Sequence, residues 1–364
     1  RAFSPAIRQL MPAVEFWWGP LVGVVPPRHA HRFFHEYHRR LREQGVDGVK
    51  VDNQAALEGV AAGLGGRVAL MRRYHEALEG SAHVHFQGNL INCMSCSNEM
   101  LYAALNSTLT RTSTDFWPLK PETHGQHLYA NAQVGLWFGE FVHPDWDMFQ
   151  SGHPAGAYHA AGRAVSGSPV YVSDKPGEHD FDLLRKLVLP DGTVLRARLP
   201  GRPTRDCLFR DPTREPVLLK VFNLNAATGV VGAFNARYAE GGTEPVTGHV
   251  SPADVPGLAG ARFAVYAHAA RELRVLEAQE RGLAPLGLPA MLNSGGAVVA
   301  QEWAEPERLE LTVRGAGEFL IFAEAAPRAV RLAGAPAAFA FEAGRLTVTL
   351  AGAGPHRLTI VPAG

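Results

Sequence analysis

Two aspartates stand where strand-like runs of the chain end, and their spacing is compatible with chemistry on a sugar. Asp52 closes the run GVKVD and Asp115 closes LTRTSTD, 63 residues further on, which is about two strand–helix repeats. If the repeats form a parallel barrel, both carboxyl groups face one pocket at the carboxyl ends of the strands. Two carboxyl groups about 5–5.5 Å apart can act as nucleophile and acid/base in a retaining transfer of a sugar residue.

Each aspartate has a basic neighbour at an even spacing. Lys50 precedes Asp52 by two residues, so an extended strand places both side chains on one face, where Lys50 could donate hydrogen bonds to a substrate. Arg111 precedes Asp115 by four residues and would share its face in the same way. Two structural alternatives remain open: Asp52 could cap the following helix, and Arg111 and Asp115 could form an ordinary ion pair.

Aromatic and acidic side chains near other strand ends are further candidates for contacts with a sugar. A tryptophan can offer a flat apolar face to a pyranose ring, although packing in a core is the more common role. The segment HPDWDMFQSGHP, which follows a strand-like run, is interpreted as a substrate loop. With Lys50 and Arg111, the predicted substrate contacts are Trp18, Trp117, Asp145, Trp146, Asp147 and Asp174.

The sequence gives little support to metal, nucleotide or nucleic-acid chemistry. Cys93 and Cys96 form a lone C-x-x-C, and the 16 histidines include no H-E-x-x-H, so neither a metal nor a cofactor is expected. Lys and Arg balance Asp and Glu at 35 each, which disfavours a nucleic-acid or membrane partner and suits a neutral oligosaccharide. Three cysteines are too few for a disulfide framework and favour a cytoplasmic setting. No apolar run is long enough to predict a transmembrane helix.

The first half of the chain repeats strand and helix about every 30 residues, which predicts a parallel α/β fold. Helices are expected at 29–45 and 64–80, ending at Gly45 and Gly80. Polar residues at the strand ends favour a (β/α)₈ barrel over a doubly wound sheet, which would be expected to carry a Gly-rich loop. About six strands are expected, with two more upstream of Arg1: 13–18, 46–52, 82–91, 108–116, 135–142 and 168–174.

The pattern changes after residue 189. A Pro-Asp-Gly turn at 190–192 is followed by many short, alternating β-type runs separated by Gly and Pro. We therefore predict two domains: a partial catalytic barrel over 1–189 and an all-β sandwich over 190–364. The sandwich contains no strong catalytic cluster, so its predicted role is to pack against the barrel.

Several long stretches resemble one known family. They are GVDGVKVDNQ, LINCMS, LTRTSTDFWP, PTRDCLF, LKVFNLNAATGVVGAFN and the block from HPDWDMFQS to LPDGT. From about residue 14 to 236, the chain resembles the raffinose synthase, seed imbibition protein and alkaline α-galactosidase family. The resemblance implies a barrel flanked by β domains, retaining chemistry and no cofactor. It also implies that Asp52 is the nucleophile and Asp115 the acid/base, that Lys50 and Arg111 hold the galactose, and that Asp174 occupies a position in the pocket.

Two features depart from the family pattern. Many relatives have an acidic residue immediately before the acid/base, where this chain has Thr114. The family's N-terminal sandwich and first barrel strands are also missing, which suggests a fragment of a longer enzyme. The function predicted from the sequence is a retaining α-galactosidase. A galactosyltransferase of the raffinose synthase type, using galactinol, is the first alternative, and a non-catalytic sugar-binding barrel fragment is the second.

Overall fold

A computed structural model describes residues 24–258, 263–276, 282–304 and 307–363, with only the backbone at 272–276. The chain divides into two units. The first consists of Arg1–Thr114 with Trp137–Asp145, and the second of Asp115–Leu136 with Trp146–Gly364. The predicted strand at 13–18 and the predicted contact Trp18 lie outside the described residues.

The first unit contains a four-stranded parallel sheet in the order β1-β2-β3-β4. All four strands therefore end at the same edge of the sheet, where side chains can be brought together. The strands are β1 (Val49–Val51), β2 (Leu90–Asn92), β3 (Leu109–Arg111) and β4 (His143–Asp145). The α-helices before and between them are Ala30–Glu43, Arg67–Phe86, Asn98–Ala103 and Glu122–Phe138, with 3₁₀ turns at Pro27–His29 and Gln54–Val60.

The strand predicted at 82–91 is wrong over most of its length. The helix Arg67–Phe86 continues through this segment, and the strand is only Leu90–Asn92. Leu78, Ala82 and Phe86 recur every four residues and are buried in one cluster, so the helical period prevails over the apparent alternation. Gly80 does not end this helix, whereas Gly45, with φ of 87°, does follow the end of Ala30–Glu43 as predicted.

Two further predicted strands are also corrected. Most of the segment 135–142 belongs to the end of helix Glu122–Phe138 and the turn after it, and the strand begins only at His143. Leu128, Ala132 and Gly135 are buried along one face of that helix. The segment 168–174 contributes a single parallel bridge, from Val172 to Phe149, rather than a strand.

The second unit begins with helical and irregular segments and continues into antiparallel sheets. Its further α-helices are Gly156–Ser166 and Phe181–Leu184. A three-stranded sheet follows, in the order β5-β6-β7, and then the β8–β9 hairpin. These strands are β5 (Arg202–Pro203), β6 (Leu219–Leu224), β7 (Gly229–Phe234), β8 (Phe263–Ala267) and β9 (Glu272–Leu276).

Two more antiparallel sheets, ordered β10-β13-β17-β16 and β11-β12-β18-β14-β15, share one hydrophobic cluster, as expected for a β-sandwich. Short 3₁₀ turns lie at Pro252–Asp254 and Ser294–Ala297. The strands are β10 (Leu283–Gly287), β11 (Val298–Ala304), β12 (Arg308–Arg314), β13 (Gly317–Ala323), β14 (Ala329–Leu332), β15 (Ala335–Pro336), β16 (Phe339–Glu342), β17 (Arg345–Leu350) and β18 (Pro355–Val361). The predicted succession of a parallel α/β region and an antiparallel β region is confirmed, whereas the eight-stranded barrel and the boundary at 189/190 remain predictions.

Candidate active site

The side chain of Asp52 lies directly after β1, at the carboxyl edge of the parallel sheet, and is exposed. One carboxylate oxygen accepts a hydrogen bond from the backbone N–H of Asn53, at 2.8 Å. Asn53 has a left-handed backbone with φ of 61°, so the chain turns sharply after the strand. The thiol of Cys93, the residue after β2, lies close enough to Asp52 for the carboxylate to raise the pKa of the thiol. Asp52 is thus oriented by the Asn53 N–H while it remains accessible.

Two cations lie near the Cys93 thiol. The Lys50 ammonium and the Arg111 guanidinium both lower the pKa of this thiol electrostatically. Lys50 is the middle residue of β1, and Arg111 is the buried last residue of β3. The first unit therefore gathers three of the predicted site residues at one edge of its sheet.

Cys93 is expected to be chemically inert despite its place beside Asp52. Burial raises the pKa of the Cys93 thiol to about 12, and the neighbouring cations only partly offset that effect. Because the thiolate is the reactive form, iodoacetamide at pH 8 is expected to label Cys93 at least about 100-fold more slowly in the folded protein than in urea. Peptide mapping over time measures both rates, and equal rates would contradict this placement of the thiol.

The spacing of Arg111 and Asp115 had predicted that they share a strand face, and this prediction is wrong. The strand ends at Arg111, and the last ladder contact is from the Thr112 N–H to the Asp145 carbonyl, at 3.1 Å. Asp115 lies beyond the strand and is exposed, whereas Arg111 is buried. The prediction fails because the strand ends at Arg111, four residues before Asp115, and the Phe116 N–H beyond it bonds a side-chain carboxylate instead of a neighbouring strand.

A chain of hydrogen bonds between buried side chains leads away from the end of β1. Gln54 Nε2 donates to the Val51 carbonyl and to Asn92 Oδ1, both at 3.0 Å. Asn92 Nδ2 donates to Ser107 Oγ at 2.8 Å, and the Ser107 hydroxyl donates to Glu79 Oε1 at 2.5 Å. Since Val51 immediately precedes Asp52, this chain fixes the backbone from which the candidate nucleophile projects.

Glu79 anchors this buried chain as a carboxylate ion. Its oxygens also accept hydrogen bonds from His75 Nε2 at 3.0 Å, Ser107 N–H at 2.8 Å and Asn106 N–H at 3.1 Å. Burial alone would raise the pKa of Glu79, but the hydrogen bonds from these donors outweigh it, so the pKa is lowered. A buried anion that several donors compensate in this way is costly to disturb.

Glu79→Gln is expected to lower the free energy of unfolding by about 3 kcal/mol, because it removes the negative charge and replaces one of the two acceptor oxygens by an NH₂ group that faces buried donors. Urea unfolding at pH 7 measures the change. Glu76→Gln on the same helix is the matched control, since Glu76 is an exposed partner of Arg72 and its loss should have no measurable effect. Equal changes in the two variants would contradict an anchoring role for Glu79.

In the second unit, the segment that carries Asp115 is fixed by the residue that follows it. Phe116 is buried in a cluster with Phe149, Ala160 and Leu183. Its backbone N–H donates to Asp147 Oδ2 at 2.9 Å. The exposed Asp115 therefore projects from backbone that is fixed at the next residue, Phe116, by the apolar packing of its ring and by the hydrogen bond from its N–H to a carboxylate.

Asp147 is itself fixed by a buried arginine. Its backbone is left-handed, with φ of 68°, and its side chain is buried. The Arg163 guanidinium donates to three consecutive carbonyls, those of Trp146 at 2.6 Å, Asp147 at 3.1 Å and Met148 at 3.0 Å. Arg163 thus stabilises the turn that aims Asp147 at Phe116.

Three histidines surround Arg163 in the same unit. Arg163 donates to His159 Nδ1 at 2.9 Å, so a neutral His159 carries its proton on Nε2 and donates it to His124 Nδ1, 2.7 Å away. His127 Nε2 lies 3.2 Å from the guanidinium. Burial, followed by the positive charge of Arg163, lowers the pKa of His159 far below its ordinary value. Burial and the nearby His153 also lower the pKa of His124.

These lowered values predict a loss of stability in mild acid. The unfolded chain binds a proton at His159 below about pH 6.5, and the folded chain does not, so the stabilisation present above that pH declines as the pH falls. The free energy of unfolding is expected to fall by up to about 1.4 kcal/mol per pH unit below 6.5. Urea titrations at several pH values measure the slope. His159→Asn should flatten it and His249→Gln, at an exposed histidine, should not; identical slopes would contradict the account.

The remaining predicted contacts differ in their exposure. Trp117 is exposed, whereas Asp145 is buried and Trp146 is buried in an apolar cluster with Leu128 and Val221. Asp174 accepts hydrogen bonds from the Ser151 hydroxyl at 2.9 Å and the Gly152 N–H at 3.2 Å. Burial raises the pKa of Asp174, but hydrogen bonds from those two residues outweigh it and lower the pKa.

The two candidate catalytic aspartates belong to different units, Asp52 to the first and Asp115 to the second. Their convergence on one pocket therefore remains a prediction. Within the described residues, no three His, Cys, Asp or Glu side chains are grouped as metal ligands would be. Over the same part of the chain, none of the helices has the length and apolarity needed to span a bilayer.

Sequence reasoning missed the residues that support both aspartates. Cys93 was considered only as part of a C-x-x-C, and Gln54, Asn92 and Glu79 were not singled out. One signal was available, because Glu79 follows the buried Leu78 on the core-facing side of its helix, where a carboxylate requires partners. Arg163 offered no comparable signal, because the three carbonyls to which it donates lie 15 to 17 residues away in the sequence.

An exposed carboxylate at the carboxyl edge of a parallel sheet lies where α/β barrel enzymes carry their catalytic residues. A second exposed carboxylate, four residues after β3, is consistent with that class. The family model for raffinose synthase or seed imbibition protein Sip1 matches residues 8–247 and 267–351. The chain belongs to this family, as the resemblance in its motifs had predicted.

Curated relatives are similar over most of the chain. A probable galactinol–sucrose galactosyltransferase 6 of Arabidopsis thaliana is 41% identical, over 84% of this chain and 48% of the relative. The galactinol–sucrose galactosyltransferase of Oryza sativa subsp. japonica is 41% identical, over 95% and 52%. Stachyose synthase of Pisum sativum is 32% identical, over 86% and 43%. The chain spans about half the length of the curated relatives it matches.

These relatives correct the functional prediction. The α-galactosidase, a hydrolase, was the main prediction from the sequence, and it is wrong. The curated relatives are named as galactosyltransferases and as stachyose synthase, which supports the alternative of a transferase. The misassignment has a chemical reason, since both reactions use the same two carboxylates and differ only in the acceptor of the sugar.

Proposed function

We propose that this chain carries the catalytic carboxylates of a retaining galactosyltransferase, which moves a galactosyl group from galactinol to sucrose. The observation that carries the proposal is 41% identity to galactinol–sucrose galactosyltransferases over most of the chain. The exposure of both Asp52 and Asp115, in motifs where the family has its nucleophile and acid/base, supports it.

In the proposed mechanism, Asp52 attacks the anomeric carbon of galactinol while Asp115 protonates the leaving inositol oxygen. A covalent galactosyl–Asp52 intermediate results. Asp115, now a carboxylate, then removes the proton from a sucrose hydroxyl as that oxygen attacks the anomeric carbon and displaces Asp52. Lys50 and Arg111 supply positive charge beside Asp52, and we assign them to binding the galactose hydroxyls.

The fold that brings the two aspartates together in this proposal is a (β/α)₈ barrel. The parallel order β1-β2-β3-β4, with helices between the strands, supports it. We further propose that the catalytic domain ends near residue 189 and that 190–364 form a non-catalytic β domain. In this arrangement Asp145, Trp146, Asp147 and Asp174 support the pocket or line it.

Product analysis with galactinol and sucrose tests this function. The expected result is raffinose, with little free galactose, together with inositol in equal amount. Omission of sucrose is the control, and inositol release should then fall sharply. Release of free galactose at the same rate with and without sucrose would contradict a transferase.

A further inference from the structure

Trp117 is an exposed aromatic residue that follows Asp115 by two residues. Asp115 and Trp117 are both exposed, and Phe116 between them is only 8% exposed. The Trp117 side chain is 44% exposed, although its nearest neighbour in the chain is part of a core cluster. Single exposed aromatic residues are common on protein surfaces, so the case for a ligand here rests on the position of Trp117 two residues after the candidate acid/base.

The segment around Trp117 is held rigidly. The Lys120 N–H donates to the Trp117 carbonyl at 3.2 Å and closes a turn. His153 Nε2 lies 2.9 Å from the Pro118 carbonyl and ties this turn to another loop of the same unit. A ring on a fixed backbone loses little conformational entropy when it binds a ligand.

A lysine completes the surface around this ring. The Lys120 ammonium lies over the indole, 4.7 Å from the ring centroid. The ammonium covers one face of the indole, and from there it can donate to the hydroxyls of a neutral sugar whose C–H groups contact the exposed part of the ring.

The position beside Asp115 indicates which sugar would bind there. An acid/base protonates the leaving-group oxygen in the first step and receives the acceptor's proton in the second. Groups adjoining it therefore contact the leaving group and then the acceptor, rather than the galactosyl ring that is transferred.

We propose that Trp117 and Lys120 form the subsite that binds the disaccharide acceptor. This inference rests on the proposed function. Bound there, an acceptor hydroxyl attacks the anomeric carbon: the new C–O bond forms as the bond to Asp52 breaks, the proton passes to Asp115, and Asp52 leaves as a carboxylate. By occupying the subsite, the acceptor also excludes water, so the subsite favours transfer.

The test uses α-galactosyl fluoride as donor, because fluoride makes little contact with a leaving-group subsite. Rates of fluoride release, raffinose formation and free galactose formation are measured against sucrose concentration. Trp117→Ala is expected to raise the KM for sucrose at least about tenfold and to increase the share of free galactose. Trp117→Phe should recover most of the loss, and Phe209→Ala, at a side chain 93% exposed in the same unit, is the control.

Lys120→Gln provides a second, independent variant at an exposed position, and it should raise the KM for sucrose about threefold. Fluoride release without sucrose is measured for each variant and reports an intact fold and nucleophile; in Phe209→Ala it should stay within about threefold of wild type. If wild type forms raffinose, and both Trp117→Ala and Lys120→Gln leave the KM for sucrose and the product ratio unchanged, then the proposed subsite is wrong while the proposed function stands. If wild type forms no raffinose, the proposed function fails and the subsite fails with it.

Discussion

Asp52→Asn is expected to lower the rate of raffinose formation from galactinol and sucrose by at least about 10³-fold, since removal of a covalent nucleophile eliminates both chemical steps. The amide preserves the size of the side chain, and the Asn53 N–H that bonds to it remains in place. Stopped assays with product quantification measure the rate, and binding of galactinol should persist.

The matched control for this substitution is Asp47→Asn. Asp47 is an exposed aspartate of the same unit whose side chain pairs only with Arg42 among the described residues, at 2.7 Å. The Asp47→Asn variant should retain full activity. An Asp52→Asn variant as active as this control would exclude Asp52 as the nucleophile.

Asp115→Ala is expected to have the second largest effect, and the size of that effect should depend on the leaving group. Inositol needs a proton to leave, so the rate with galactinol should fall roughly 10²–10⁴-fold. Fluoride leaves without one, so formation of the galactosyl–enzyme from α-galactosyl fluoride should be far less affected. Azide, which needs no general base, should then restore turnover and yield α-galactosyl azide.

Asp182→Ala is the control for the acid/base variant. Asp182 belongs to the same unit, and its side chain is 94% exposed and paired with Arg185 at 3.0 Å. Equal losses with galactinol and with the fluoride donor, or no response to azide, would mean that Asp115 does not transfer the proton.

The candidate site was predictable where it depends on local patterns. Lys50 and Asp52 were assigned to the end of a short strand because apolar residues alternate before them, and that strand end is confirmed. The antiparallel strands after residue 217 were predicted on the same principle and are confirmed. In both cases, neighbouring residues alone decide which side chains face the core.

The rest depends on contacts between distant parts of the chain. Glu79 meets Ser107 across 28 residues, and Asp147 meets Phe116 across 31. The segment 82–86 alternates like a strand, yet its packing with Leu78 makes it helical. Contacts between residues distant in sequence determine the secondary structure and side-chain partners of these segments, and a local sequence pattern does not contain that information.

The proposed mechanism depends on a covalent galactosyl–Asp52 intermediate that sucrose can discharge. The most direct test is to react the protein with 2-deoxy-2-fluoro-α-galactosyl fluoride, map the labelled peptide by mass spectrometry, and add sucrose. The mechanism predicts one label, on Asp52, that disappears with sucrose as a fluorinated raffinose forms. A label on another residue, or a label on Asp52 that sucrose does not remove faster than water does, would contradict it.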